Sequence, residues 1–209
     1  MSEFFEFFLK PDVLFLCLFS YLLGSIQFGV LIGKLTKGIN ILKYGSKSSG
    51  ATNATRVLGL KYGIITTILD ILKGLIPIVI SCFMFDAPSI LAGLFAVLGH
   101  IFPIYNKFKG GKGVATTAGV IIAIDPISAI FGFIIMVLIV SLTRYVSLAS
   151  ITVATLVLGS KFFSYQNNFP LENILFLIIL GLIIYRHKDN IKRLIKGTER
   201  KFGEKVEVK

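Results

Sequence analysis

A short polar segment between two apolar stretches carries the residue types best suited to bind an anion. Positions 109–113 have the sequence Lys-Gly-Gly-Lys-Gly, and no Asp or Glu occurs between Asp86 and Asp125. Glycine lets a backbone approach a ligand closely, and successive N–H groups beside lysines can form a concave anion site. A nucleotide P-loop would have glycine at position 106 and Ser or Thr at position 113, where Asn106 and Gly113 stand. The segment therefore predicts a phosphate cradle without nucleotide specificity.

A second polar segment, positions 45–56, is dense in small hydroxyl and amide side chains and ends in Arg56. Hydroxyl and N–H groups suit phosphate oxygens, and arginine offers a planar fork for bidentate contact. If Thr52 to Arg56 opens the second helix, the positive end of its dipole also faces the ligand. An ordinary solvated loop with a capped helix start is the alternative when this segment is taken alone.

A third segment follows the last apolar stretch and contains His187 and Asn190. The two residues are three positions apart and therefore share one face of a helix. The alternative is a basic juxtamembrane tail that contacts anionic lipid head groups. We expect that lipid-contacting role for Lys196, Arg200 and Lys201.

These segments supply the candidate site residues, and Ser147 is added to them. We assign catalytic roles to Arg56, Lys112, His187 and Asn190. Substrate or phosphate binding is assigned to Ser46, Ser48, Gly50, Thr52, Asn53, Gly110, Gly111, Gly113 and Ser147. No metal ligand is assigned, because no acidic cluster could bind a catalytic divalent ion, and no cofactor is expected. The chain has only two histidines, His100 and His187, which argues against a Ser-His-Asp triad.

Asp70 and Lys73 lie in the middle of an apolar stretch, three positions apart. An ionisable group inside a bilayer is costly and points to a function by default. An intrahelical ion pair that faces the interior of a helix bundle is the structural alternative, and we favour it here.

The composition places these segments in a membrane protein. Of the 209 residues, 55% are hydrophobic and 16% are charged, and the mean hydropathy is +0.83. These values are typical of a membrane-embedded helical bundle. The net charge is +11, but the basic residues flank apolar stretches of lipid length, which fits the positive-inside rule better than nucleic-acid binding. We therefore expect one transmembrane domain, residues 1–209, and no nucleic-acid partner.

The apolar pattern predicts an all-α fold with seven transmembrane helices. They are placed at about 13–35, 58–85, 89–105, 114–125, 126–142, from the turn at 144 to 163, and 171–185. The fourth is short for a full crossing of about 20 residues, so we expect it to pack inside the bundle. A turn is predicted at 86–88 and a polar loop at 164–168. Lysine and arginine concentrate in the odd-numbered loops, which places the N-terminus outside and the C-terminus in the cytoplasm.

Several motifs, taken in order, resemble the bacterial membrane glycerol-3-phosphate acyltransferases that use acyl phosphate as donor. The family pattern begins Gly-Ser-Ile-Pro-x-Gly, found at 24–29, and continues Gly-Ser-Gly-Asn-x-Gly-Ala-Thr-Asn-x-x-Arg, found at 45–56. Gly-His-x-Phe-Pro with Lys-Gly-Gly-Lys-Gly-Val-Ala-Thr corresponds to 99–103 and 109–116. The last motif, His-Arg-x-Asn-Ile-x-Arg-Leu, corresponds to 187–194. The resemblance covers nearly the whole chain.

The chain departs from the family pattern in three places. Gln27 replaces a proline, which predicts the loss of a helix kink. Lys188 replaces an arginine. Lys47 and Ser48 replace a Gly-Asn pair, and the change at Ser48 is the one that affects a phosphate contact.

The resemblance implies a seven-helix enzyme of the bacterial inner membrane with its active site at the cytoplasmic face. Its expected substrates are acyl phosphate and glycerol 3-phosphate, with membrane lipid around it and a functional link to the enzyme that supplies acyl phosphate. Its expected products are 1-acyl-glycerol 3-phosphate (lysophosphatidic acid) and inorganic phosphate, in the first acylation of phospholipid synthesis. Neither acyl-CoA nor acyl carrier protein is expected as a donor.

The residue types suggest how such an enzyme works. Two phosphorylated ligands would repel each other, and Arg56, Lys112 and His187 would offset that charge while Asn190 orients the glycerol phosphate. The hydroxyl proton is taken either by the donor's own phosphate or by His187 as general base. A small-anion transporter also suits a basic pocket, but transporters often have duplicated halves, and the sequence has no internal repeat. A purely structural membrane protein explains none of the three polar segments.

Overall fold

The computed structural model describes residues 9–85, 88–164, 170–204 and 206, and the regular structure within these ranges is entirely helical. The α-helices are α1 Pro11–Gly24, α2 Phe28–Lys37, α3 Ala51–Leu58, α4 Leu60–Met84, α5 Ser89–Ile101, α6 Val114–Ile124, α7 Pro126–Thr143, α8 Val146–Ser164, α9 Pro170–Arg186 and α10 Lys188–Ile195. Two short 3-10 helices, Ile41–Lys43 and Ile104–Asn106, lie in the loops. Positions 86 and 87 of the predicted turn and 165–168 of the predicted loop lie outside the described residues.

Four segments of the described chain are long and apolar enough to cross a membrane, by length and composition. They are Pro11–Lys37, Leu60–Met84, Ser89–Asn106 and Pro126–Thr143. Val114–Ile124 and Val146–Lys161 are apolar but shorter. The part of the chain that the structure describes is therefore entirely helical and has the long apolar helices of a membrane protein, as the hydropathy predicts.

The short fourth apolar stretch is α6, and it lies inside the bundle. Val120 of α6 is fully buried, and the helix packs against both α4 and α5. A side chain on Gly74 would overlap the carbonyl of Thr116, and one on Gly119 would overlap the carbonyl of Ile71. Helices α4 and α6 therefore cross with their backbones in contact, as small residues allow in membrane proteins. This crossing anchors the polar segment that precedes α6.

Helix α1 does not continue into α2, although Gln27 stands where the family pattern has proline. The predicted loss of the kink is wrong, because the Gln27 side chain holds the break through its own hydrogen bonds. Its Nε2 donates to the carbonyls of Ser25 at 3.2 Å and His100 at 3.4 Å. Its Oε1 accepts a hydrogen bond from the Ser49 hydroxyl. The break is thereby tied to α5 and to the polar segment 45–56.

The buried ion pair of α4 also supports this break. Lys73 Nζ lies 2.8 Å from Asp70 Oδ1 and donates to the carbonyl of Ile26 at 2.6 Å. His100 Nδ1 of α5 lies 3.6 Å from the same carboxylate oxygen. Both members of the pair are 1% exposed. The pair thus joins α4 to the α1–α2 break and to α5, which agrees with the structural interpretation.

Gly29 and Gly33 of α2 have the Gly-x-x-x-Gly spacing that favours contact between membrane helices. In the structure they face the chain that follows α2. A side chain on Gly29 would overlap the carbonyl of Ser49, and a Cβ on Gly33 would lie 2.7 Å from the carbonyl oxygen of Ile39. The two glycines therefore let the polar loop fold back against α2.

Helix α7 lies at the edge of the bundle, where it packs against α6 and α8. Asp125 caps its N-terminus by accepting a hydrogen bond from the Ser128 N–H at 3.0 Å. The same carboxylate forms an ion pair with Lys161 of α8. These contacts join α6, α7 and α8 at one end, and a groove runs between the three helices toward the other end.

Candidate active site

Several distant segments of the chain border one cavity of about 420 Å³. The cavity has a polar end and an apolar end. Arg56, Lys112 and His187, which we expect to converge, all line it. The other candidates that line it are Ser46, Ser48, Gly50, Thr52, Asn53, Gly113, Ser147 and Asn190. Gly110 and Gly111 are the two candidates outside the lining.

Hydrogen bonds connect three segments across the polar end of the cavity. Lys112 Nζ donates to Asn190 Oδ1 at 2.6 Å, and Asn190 Nδ2 donates to Glu199 Oε1 at 2.7 Å. The Ser147 hydroxyl donates to the same carboxylate oxygen at 2.9 Å. Arg193 Nε donates to the other oxygen, Glu199 Oε2, at 2.7 Å. The amide of Asn190 is therefore oriented with its oxygen toward Lys112 and its nitrogen toward Glu199.

Lys112 is a desolvated cation at neutral pH. Burial lowers the pKa of its ammonium to about 8, although the carboxylate of Glu199 opposes this effect. A charge that has lost most of its water interacts more strongly with a nearby ligand charge than an exposed one does. Lys112 is thus poised to bind an anion.

His187 is neutral at neutral pH. Its Nδ1 lies 2.8 Å from the carbonyl oxygen of Ile183, and since a carbonyl only accepts, Nδ1 carries the proton and Nε2 is the basic nitrogen. Burial, and then the charge of Lys112, lower the pKa of His187 to about 4. Of the three residues expected to offset phosphate charge, Arg56 and Lys112 are therefore cationic here, whereas His187 is not.

Arg56 lies on α3, a short helix separate from the span that follows it. This helix begins at Ala51, one residue from the expected start near Thr52, and ends where Gly59 adopts a positive φ of 103°. The Nε of Arg56 is buried and has no hydrogen-bond partner among the residues that the structure describes. Burial, and then the charge of Arg200, lower the pKa of Arg56, but a guanidinium remains charged. A charged guanidinium whose buried Nε–H lacks such a partner suits a phosphate oxygen.

Asn53 organises the polar loop that precedes α3. Its Oδ1 accepts a hydrogen bond from the Ser46 N–H at 2.9 Å. Its Nδ2 lies 3.0 Å from the carbonyl oxygen of Ile41 and 3.2 Å from that of Tyr44. The carbonyl oxygen of Ser48 is 2.8 Å from the same nitrogen. The amide of Asn53 is thus used inside the loop and fixes the shape of the cavity wall.

Two departures from the family pattern lie in this loop. Lys47 has a φ of 54°, in the left-handed region that favours glycine, where the pattern has glycine. The Ser48 hydroxyl accepts a long hydrogen bond from the Gly50 N–H at 3.4 Å and lines the cavity. The loop therefore keeps its fold with a strained residue at position 47.

Gly110 and Gly111 approach the protein's own α5 closely. The Gly111 N–H donates to the carbonyl of His100 at 3.0 Å. A side chain on Gly111 would overlap the His100 imidazole, and one on Gly110 would overlap the His100 carbonyl. Arg186 donates to the carbonyls of Gly111 at 3.1 Å and Gly110 at 3.3 Å. The glycines thus hold the loop that carries Lys112, and their contact with phosphate stays a prediction.

The apolar end of the cavity runs between α6, α7 and α8. Its lining includes Ala118, Ile121, Ile122, Ala129, Gly132, Phe133, Val153, Ala154, Val157 and Leu158. A cavity with cations at one end and methyl groups at the other suits an amphiphile with an anionic head.

Sequence reasoning did not identify Glu199 and Arg193 as part of the site. Glu199 lies in the basic tail, where its neighbours predict only contact with lipid head groups, and one carboxylate there gives little signal. Arg193 lies within the third polar segment, but its spacing alone does not connect it to a carboxylate. Asp70 and His100 also line the cavity.

Fold and site together define a class of protein. Within the described ranges, no group of three or more His, Cys, Asp or Glu side chains is placed to hold a metal ion. The protein is a membrane-embedded helical bundle whose buried cations open into an apolar groove, an arrangement typical of enzymes that act on phosphorylated amphiphiles.

Comparisons with known proteins give the family. The sequence profile of the glycerol-3-phosphate acyltransferase family matches residues 14–197. A glycerol-3-phosphate acyltransferase of Aquifex aeolicus (strain VF5) is 47% identical over 193 residues, which cover 90% of this chain and 98% of the relative. One from Bacillus subtilis (strain 168) is 43% identical over 187 residues, with coverages of 89% and 95%.

A solved structure has the same architecture. It is PlsY (YgiH), an integral membrane glycerol 3-phosphate acyltransferase, in its glycerol 3-phosphate form. The two chains are 46% identical and superpose with a TM-score of 0.82 over 91% of this chain and 95% of the other. The lysophosphatidic acid form of PlsY gives a TM-score of 0.80. This chain therefore belongs to the glycerol-3-phosphate acyltransferase family of membrane enzymes.

Proposed function

We propose that the protein transfers an acyl group from acyl phosphate to the 1-hydroxyl of sn-glycerol 3-phosphate. The products are 1-acyl-glycerol 3-phosphate and inorganic phosphate. The observation that carries the proposal is the single cavity in which Arg56, Lys112, His187 and Asn190 meet and whose other end is an apolar groove. The relatives' shared activity on glycerol 3-phosphate, given in their names, supports the acceptor.

The two cations explain how two phosphorylated ligands can share the cavity. Each phosphate carries between one and two negative charges near neutral pH, since its second pKa is about 6. Arg56 and Lys112 offset this charge, and the N-terminus of α3 with Ser46, Ser48 and Thr52 supplies neutral donors. Asn190 orients glycerol phosphate through the amide that Glu199 holds in place. His187 adds a positive charge only after a bound phosphate raises its pKa.

Alignment of the reactants provides most of the rate enhancement in this proposal. Acyl phosphate is already activated, because phosphate is a good leaving group. The acyl chain lies in the groove between α6, α7 and α8, so that the acyl carbon is held beside the cations. Fixing the glycerol hydroxyl against that carbon can supply about 7–11 kcal/mol in favourable cases.

The acyl transfer needs one proton acceptor. The glycerol hydroxyl oxygen forms a bond to the acyl carbon while the bond from that carbon to the phosphate oxygen breaks. The hydroxyl proton passes either to the leaving phosphate or to Nε2 of His187, which the hydrogen bond to Ile183 leaves unprotonated. A His187→Gln variant separates the two routes. A pH–rate profile that keeps its shape in this variant assigns the proton to the donor phosphate, and one that loses its acidic limb assigns it to His187.

The membrane arrangement that fits this function has seven transmembrane helices and a single domain spanning residues 1–209. Its N-terminus lies outside, and its C-terminus and active site lie at the cytoplasmic face of the bacterial inner membrane. The cavity is then open to glycerol 3-phosphate from the cytoplasm and to the acyl phosphate that a neighbouring enzyme supplies. Lys47 is exposed, so a cysteine at this position, in a background without the native cysteines, should react with an impermeant thiol reagent in inverted vesicles only.

Donor comparison on the purified protein tests the proposal. In nanodiscs, phosphate release should require both acyl phosphate and glycerol 3-phosphate, whereas acyl-CoA and acyl carrier protein thioesters should give no product. Arg56→Ala should lower turnover by about 10²–10³-fold, the usual effect of removing one charge-stabilising donor, without changing the helical circular dichroism. Full activity of Arg56→Ala, or release that does not need glycerol 3-phosphate, would contradict the assignment of the phosphate site.

A further inference from the structure

Gly132 is the only buried residue of α7, every residue of which the structure describes. The helix otherwise presents large apolar side chains outward, including Phe131 and Ile134, both more than half exposed. Gly132 also lines the cavity. The one buried position of this helix is therefore occupied by the smallest residue.

The surroundings of Gly132 leave little room for a side chain. A Cβ at this position would lie 3.1 Å from Cγ1 of Val153 and 3.2 Å from Cγ2 of Val157, both on α8. Both valines line the cavity as well. A larger residue at position 132 must therefore either push α7 away from α8 or fill the groove between them.

The position of Gly132 corresponds to a definite depth in the groove. Ser147 lies at the polar end of α8, and the midpoint of Val153 and Val157 is about 12 Å farther along the helix at ~1.5 Å per residue. An extended alkyl chain, with carbon–carbon bonds of about 1.5 Å, gains roughly 1.3 Å per carbon. An octanoyl chain whose carbonyl lies at the level of Ser147 therefore reaches about 9 Å and ends before Gly132, whereas a hexadecanoyl chain reaches about 20 Å and must pass it.

The groove continues beyond Gly132. Ala129 and Ser128 line the cavity one turn deeper on α7, together with Ile122 of α6 and Leu158 of α8. Ser128 is held there by Asp125, whose side chain accepts from both its N–H and its hydroxyl. The deeper part of the groove is thus bounded by the polar start of α7.

We infer that Gly132 determines acyl-chain length by leaving the groove open at mid-depth, so that long chains are accepted. This inference deepens the proposed function and rests on it. Ala129 also limits the length of the acyl chain, and it lies about 4.5 Å deeper in the groove, at ~1.5 Å per residue. A role in helix packing alone would lower activity equally for donors of every length, whereas a length-determining role changes the ratio between donors.

Three leucine variants in nanodiscs test the inference. The donors are octanoyl, dodecanoyl and hexadecanoyl phosphate, each with glycerol 3-phosphate. Gly132→Leu should lower the ratio of kcat/KM for hexadecanoyl to that for octanoyl phosphate by about tenfold or more, since even one methylene in an apolar pocket changes rates by about 10–200-fold. Ala129→Leu should lower the same ratio by a smaller factor and should keep its activity with dodecanoyl phosphate. Gly159→Leu is the control, because a Cβ on Gly159 of α8 meets nothing within 4 Å.

A binding readout separates this inference from the proposed function. The shift in melting temperature caused by 1-acyl-glycerol 3-phosphates of the same chain lengths reports the groove without turnover. Loss of the shift for the hexadecanoyl compound in Gly132→Leu supports the inference, whether or not acyl phosphate is the donor. Wild-type protein that releases no phosphate from any acyl phosphate contradicts the proposed donor. Unchanged length ratios and unchanged thermal shifts in Ala129→Leu overturn the inference, even if Gly132→Leu does not fold.

Discussion

Lys112 Nζ lies 2.6 Å from Asn190 Oδ1, although 78 positions separate the two residues in the chain. One belongs to the loop before α6 and the other to the helix that follows α9. Glu199 accepts a hydrogen bond from Asn190 Nδ2 and thereby orients the amide. The ammonium of Lys112, the amide of Asn190 and the carboxylate of Glu199 are therefore joined by consecutive hydrogen bonds.

The charge of Lys112 should control the alkaline limb of activity. Lysine is cationic below its pKa, and burial lowers that pKa to about 8, so kcat/KM of the wild-type enzyme should fall as the pH rises through about 8. Lys112→Ala should lower turnover by about 10²–10³-fold. The guanidinium of Lys112→Arg does not reproduce the position of the lysine ammonium, so activity should be lower. It stays charged, however, so the remaining activity should not fall as the pH rises through about 8. A fall at the same pH in Lys112→Arg would show that another group is responsible.

Glu199 should stabilise the protein by orienting Asn190. Burial raises the pKa of Glu199, but hydrogen bonds from Asn190, Arg193 and Ser147 outweigh it and hold the pKa below 4.5. The associated stability is therefore present above that pH and is lost as the pH falls through the folded-state pKa. Glu199→Ala should lower the free energy of unfolding by about 1–3 kcal/mol, the usual cost of leaving a buried partner unsatisfied, and should raise KM for glycerol 3-phosphate.

The control for Glu199 lies in the same tail. The exposed Glu204 accepts a hydrogen bond from the Lys201 N–H at 2.9 Å. Glu204→Ala should leave both KM and the melting temperature close to wild type. Equal effects of the two variants would mean that the tail as a whole, and not the Glu199 carboxylate, stabilises the site.

Lys47 should be replaceable by glycine with a gain in stability. Its φ of 54° lies in the left-handed region, which costs an L-residue about 1–2 kcal/mol, whereas glycine adopts it freely. Part of this gain is offset by the greater freedom of glycine in the unfolded chain, so Lys47→Gly should stabilise by about 1 kcal/mol or less. The control is the exposed Lys43, whose φ is not positive. Lys43→Gly should destabilise by about 0.5–1 kcal/mol, as measured by thermal unfolding in detergent.

Gly111→Ala should displace the loop that carries Lys112. The added Cβ would overlap the imidazole of His100, which is 3% exposed and has little room to move. We expect kcat/KM for glycerol 3-phosphate to fall by about tenfold or more, because small misplacements of a catalytic group cost large factors in rate. Gly159→Ala adds the same methyl group in open space and should behave as wild type. A fully active Gly111→Ala enzyme would show that the loop does not need this close packing.

Local patterns in the chain account for much of the fold. The apolar stretches predict the helices because a helix in lipid must satisfy its own backbone and present apolar side chains. The buried position of α6 follows from its length, since α6 is shorter than a full crossing. The expected topology, which places the three polar segments on one side of the membrane, together with the family resemblance predicts that Arg56, Lys112 and His187 belong to one site. All three line the same cavity.

Other features depend on contacts between distant residues, which no local pattern contains. Gln27 preserves a helix break without proline because Ser49 and His100 happen to lie within its reach. Glu199 joins the site because the tail turns back toward Asn190. The two bonds of Gln27 span 22 and 73 positions, and their energy depends on the packing that brings the partners together.

The sequence by itself determined the class of this protein, the order of its helices and the residue types of its anion site, since hydropathy and spacing are properties of the chain alone. Only the tertiary structure decided which of these groups are charged and where they point. His187 is neutral because it is buried beside Lys112. Position 111 requires glycine because the His100 imidazole of α5 occupies the space that a side chain would need. Desolvation and long-range packing arise only when the helices assemble, and they convert a set of polar residues into a site with a defined geometry.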